Sequence, residues 1–92
     1  MRVVGSIEHP YLKITIFKMD NKLSVKFETG LFEQIYKFRT GDQIETVADV
    51  QQLVDASFLE QVEAQFAVMN RIKNEAFLKY HPQDLNEFDE II

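Results

Sequence analysis

Ninety-two residues, 46% of them apolar and eight of them Phe, suffice for one small core and are too apolar for a disordered chain. The absence of cysteine removes disulfides, thiolate metal sites and cysteine nucleophiles. The net charge of −5 and a pI near 4.9 argue against a nucleic-acid binder. The charge is nonetheless divided: residues 1–41 carry seven Lys/Arg against four Asp/Glu, whereas 42–92 carry three against eleven. This predicts a mildly basic sheet half joined to an acidic helical half. No apolar run approaches the roughly 18 residues of a membrane span. The opening "MRVVGSIEHP" lacks an apolar core of signal-peptide length. The expectation is one soluble, cytoplasmic domain over 1–92.

In chain order, "RVVGSI" (2–7) can add a strand before the break at Pro10, although Gly5 weakens it. Three period-2 stretches follow: "YLKITIFKM" (11–19), "LSVKFE" (23–28) and "LFEQIYKF" (31–38). Asp20-Asn21 suits a tight turn between the first two, and Thr29-Gly30 one between the second and third. Short loops imply an antiparallel meander of three or four strands within 2–39. A two-residue Thr29-Gly30 loop sets Phe27 opposite Phe32, Leu23 opposite Tyr36, and Lys26 opposite Glu33, a favourable pair. Moving the loop by one residue sets Glu28 against Glu33.

Alternation gives the sheet two unlike faces. Face A collects Leu12, Ile14, Ile16, Leu23, Val25, Phe27, Phe32, Tyr36 and Phe38 and is the core face. Face B holds Tyr11, Phe17, Met19, Leu31 and Ile35 among Lys13, Lys26, Lys37, Arg39, Glu28 and Glu33. A sheet backed on one side only should not need this second apolar set.

After "TGDQ" the period becomes helical. Val47, Val50 and Leu53/Val54 predict a short helix over about 46–56, with Thr46 and Asp49 at capping spacing. "SFLE" reads as a capping box between Ser57 and Glu60, opening a long helix over 57–80. Along it Phe58, Leu59, Val62, Phe66, Met69, Ile72, Ala76, Phe77 and Tyr80 share one arc. A 24-residue helix is about 36 Å long and an eight-residue strand about 27 Å, so the helix should outrun the sheet around Phe77 and Tyr80. Pro82 ends it. The acidic tail 82–92 keeps Leu85, Phe88, Ile91 and Ile92 at short helical spacing. The fold class is α+β: a meander, then a short and a long helix packed on one face.

Chemistry is sparsely encoded. The only histidines, His9 and His81, each precede proline, where a turn or helix end is the ordinary role. Two scattered histidines and a carboxylate tail without calcium-loop spacing make no metal site. Three glycines far apart cannot form a phosphate-binding loop. No catalytic residue, cofactor or metal is predicted.

The sequence points instead to a non-enzymatic interaction or structural module, most simply a homodimer or a binder of another protein. Its interface candidates are Tyr11, Phe17, Met19, Leu31, Ile35, Phe77, Tyr80, Leu85 and Phe88. The alternative is a small-ligand or single-stranded nucleic-acid binder using the face B aromatics with Lys13, Lys26, Lys37 and Arg39. A third outcome is that the N-terminal strand, the short helix or the tail covers face B. An enzyme would need a pocket joining a histidine to a carboxylate.

Overall fold

The computed structural model describes residues 1–41 and 43–80. Four strands, β1 (Arg2–Ile7), β2 (Lys13–Met19), β3 (Lys22–Thr29) and β4 (Phe32–Arg39), form one antiparallel sheet in the order β1-β2-β3-β4. Two helices follow, α1 (Val47–Leu53) and α2 (Ala56–Tyr80). The expected α+β meander is present, with "RVVGSI" as a full fourth strand.

The β2–β3 turn is Asp20-Asn21, with Asp20 at φ 52°, and it pairs Ile16 with Val25. The β3–β4 turn departs from expectation. It is Gly30-Leu31, so Thr29 pairs with Phe32, Phe27 with Gln34, and Glu28 with Glu33. Gly30 has φ +54°, and a glycine at the first central position is what a tight hairpin of this kind requires. That backbone demand outweighs the like-charged pair, which Lys26 relieves with its Nζ 3.3 Å from Glu28 Oε1. Each partner moves by two residues, so the faces keep their parity.

Face A is the core. Ile14, Ile16, Leu23, Val25 and Phe27 are buried under Val50 and Val54 of the α1 segment and Val62 and Phe66 of α2. Neither β1 nor α1 covers face B. β1 extends the sheet edgewise, through a bulge between Val3 and Gly5, and α1 lies over face A. Gly5 has a positive reason to be there. A Cβ at this position would stand 2.7 Å from Val47 Cγ1, so a side chain would force Val47 at the start of α1 to shift.

Both helix starts are capped. Thr46 and Asp49 form the expected capping box, Asp49 N donating to Thr46 Oγ1 at 3.2 Å and Thr46 N to Asp49 Oδ2 at 2.9 Å. The cap of α2 is not the Ser57–Glu60 box. Asp55 Oδ1 accepts from Phe58 N at 2.9 Å, and the helix starts at Ala56. A carboxylate answers the positive helix end better than a hydroxyl, and α1, ending at Leu53, leaves Asp55 free for this role.

The sheet supports only part of α2. Val62 and Phe66 are buried, and Phe58, Leu59 and Met69 pack against the core, but every residue from Asn70 to Tyr80 is exposed. The result is an elongated molecule. Its radius of gyration is 17.5 Å, against about 12 Å for a compact domain of this length.

Two tests follow from these contacts. Gly5→Val should cost about 1–3 kcal/mol in urea unfolding, and Val47→Ala in the same chain should recover part of the loss by clearing the space. Asp49 is held below its ordinary 3.8 by the Glu45 amide first, then by the Thr46 amide and hydroxyl. Its stabilising contribution is therefore complete above that ordinary value and lost as pH falls through the depressed one. Asp49→Asn should lower stability at neutral pH and flatten the decline below pH 4, read from urea midpoints across an acid series.

Candidate interaction surfaces

A polar contact inside the helix–sheet seam fixes where α2 lies. Gln34 falls on face A between Phe32 and Tyr36 and is only 9% exposed. Its Nε2 donates to the carbonyl of Val62 at 2.9 Å, and its Oε1 accepts from Tyr36 Oη at 2.6 Å. A helical carbonyl keeps a second lone pair after its own helix bond, so Val62 can accept. Around the amide, Phe27, Tyr36 and Phe58 close an aromatic triangle with centroids 5.2–5.8 Å apart. Parity alone placed Gln34 on the core face. As a polar residue it did not join the expected core.

Beyond this seam α2 leaves the sheet at its β3–β4 turn end, where Lys73 Nζ lies 5.5 Å from the centroid of Phe32. The next turns carry Ile72 (57% exposed), Phe77 and Tyr80 on the arc that buries Val62 and Phe66 lower down. Ala76 stands in the middle of this stripe. Leu78 is exposed on the opposite side. Arg71, Lys73 and Lys79 against Glu75 give the overhang a net charge of +2.

Face B is open among the described residues, and only part of the expected set lies on it. Phe17, Met19 and Ile35 are there, with Val3 beside Phe17 across the β1–β2 ladder. Tyr11 and Leu31 are not. Tyr11 sits in the β1–β2 connection, edge-on to His9 at 5.1 Å, and Leu31 is the second turn residue, 85% exposed. The strands run 13–19 and 32–39, shorter at these ends than the pattern suggested, because the β1–β2 connection and the glycine turn take the flanking residues. Leu85 and Phe88 lie outside the described residues.

Lys13, Lys26, Lys37 and Arg39 share face B, and the register adds Lys22 opposite Arg39. Lys26 is engaged by Glu28 and lies 5.2 Å over the Phe17 ring. The interface candidates thus divide between two separate surfaces, the α2 overhang and face B, and Ile72 and Lys22 join them. Strand alternation could have supplied Lys22. Ile72 was on the helical arc already, but where the overhang begins depends on Gln34.

His9 does meet a carboxylate. Its Nε2 is 3.3 Å from Glu63 Oε1, and its Nδ1 accepts from the amides of Tyr11 and Leu12 at 3.2 and 3.1 Å. Nδ1 therefore carries no hydrogen, and Nε2–H faces Glu63. The ring clasps the β1–β2 connection onto α2. The open depression of about 590 Å³ beside it is lined by Ser6, Ile7, His9, Pro10 and Lys13 among others. Both ring nitrogens have partners in this arrangement.

Compared with protein families, curated proteins and solved structures, the chain matches none. The functional reading is therefore built on these surfaces.

The seam predicts its own sensitivity. Gln34→Ala removes the partner of Tyr36 Oη and the donor to Val62. It should cost on the order of 1–3 kcal/mol in denaturant unfolding. An unchanged midpoint would show that the amide does not hold α2.

Proposed function

We propose that the protein is a non-enzymatic interaction module that self-associates through the overhang of α2. The observation carrying this reading is the mismatch of length: 11 exposed residues, Asn70 to Tyr80, run past the apolar core, with Ile72, Ala76, Phe77 and Tyr80 on the arc of Val62 and Phe66 and Lys73 among them over the Phe32 ring. An isolated helix that short is marginal in water. Its exposed pair, Arg71 Nε to Glu75 Oε1 at 3.9 Å, adds little. A second helix laid along the stripe supplies the missing burial. Two copies crossing antiparallel at Ala76, the smallest side chain of the stripe, bring Ile72 of each near the helix tip of the other. The pairing is isologous and closes as a two-fold dimer.

Face B is less suited to pairing with itself. Lys13, Lys22, Lys26, Lys37 and Arg39 against Glu28 and Glu33 leave it at +3, so two such faces repel. Single-stranded nucleic acid is also a weaker reading, because two carboxylates and Ile35 stand among the cations.

Light scattering over a wide concentration range should give a dimer mass, and Ile72→Asp should weaken association by about tenfold or more. Since Ile72 is exposed, its replacement should leave the unfolding free energy within about 0.5 kcal/mol of the parent when both are measured at concentrations where they are monomeric. A monomeric mass for the unmutated chain at millimolar concentration would overturn the reading.

A further inference from the structure

Building on that dimer, we infer that face B is the docking surface for the acidic C-terminal segment, residues 83–92, of a second copy. The two surfaces match in chemistry. Face B is cationic with Phe17, Ile35 and Met19 between its charges. Residues 83–92 carry Asp84, Glu87, Asp89 and Glu90, a charge of −4, interleaved with Leu85, Phe88, Ile91 and Ile92. A basic face that repels its own copy accepts a segment of this composition.

Reach decides between the chain's own face B and the partner's. Twelve residues follow Tyr80, and fully extended they span at most about 40 Å. To reach its own face B the segment must return along the overhang, about 16 Å, and pass from the helix layer around the sheet, about 10 Å more. What remains covers the turn end, where Lys13 and Lys26 are balanced by Glu28 and Glu33. It stops short of Lys22, Lys37 and Arg39, which lie at the opposite end of strands about 27 Å long. In the antiparallel dimer the tip of each overhang lies beside the partner's sheet, so nearly the whole segment is available to run along the partner's face B.

The test uses light scattering of the full chain with two charge-reversed variants. One carries Lys37→Glu and Arg39→Glu on face B. The other carries Glu87→Lys, Asp89→Lys and Glu90→Lys in the segment. Each alone should dimerise about tenfold or more weakly than the parent, with circular dichroism unchanged. Mixed in equal amounts they should associate to within about threefold of the parent, because each segment then meets an oppositely charged face on the other chain. Added salt should weaken the parent dimer. If the parent dimerises and both variants dimerise equally well, face B takes no acidic segment and this inference falls while the overhang dimer stands. Loss in both variants without recovery on mixing would place the segment on its own chain and overturn the exchange. A monomeric parent would overturn the dimer reading itself.

Discussion

The architecture depends on one buried amide. Gln34 ties the β4 backbone register to the axial position of α2 through the Val62 carbonyl, inside a seam otherwise closed by aromatic rings. Hydrophobic contact alone would let a helix with an apolar arc along its whole length slide on a flat sheet. Sliding by one turn, about 5.4 Å, would move Val62 out of reach and leave a buried carboxamide unsatisfied. Fixing α2 at Val62 also fixes how much of it projects, so a polar contact in the core sets the length of the overhang outside it.

Two polar details thus shape a fold whose outline is apolar. The His9 ring works at the other side of the helix, tying the β1–β2 connection to Glu63. Together the two contacts anchor the first half of α2 at separate points of the sheet. The second half inherits its direction from them; past Met69, where the apolar core ends, Lys73 still lies over the Phe32 ring of the sheet. The division of charge follows the same line. The basic residues cluster on the open sheet face, and the most acidic run of the chain comes after the helix.

Much of this was legible in the sequence. Period-2 alternation placed Ile14, Ile16, Val25 and Phe27 on the core face, and the helical arc found Val62 and Phe66. These patterns report burial directly. The misses arise where local chemistry competes. Cross-strand charge favoured a Thr29-Gly30 loop, but glycine's freedom at positive φ decided for Gly30-Leu31. Ser57 and Glu60 spell a capping box, yet Asp55 two residues earlier took the helix start. Gly5 looked like a weakness in a strand and proved to be the clearance for Val47. The candidate surfaces were read in outline. Their division into two separate surfaces depended on turn residues and on the Gln34 contact, neither of which periodicity encodes.

The bulge between Val3 and Gly5 has a consequence for how this molecule behaves in a crowded solution. An antiparallel meander that does not close into a barrel exposes unpaired backbone along both outer strands, and such edges template fibrous stacking. On β1 the extra residue breaks the even spacing of amides and carbonyls and increases the local twist, so a flat incoming strand cannot stay in step. On β4 the side chains of Glu33, Lys37 and Arg39 punctuate the outer strand with charge. With its edges protected in these two ways, the sheet can offer a broad face to a partner without polymerising along its rim.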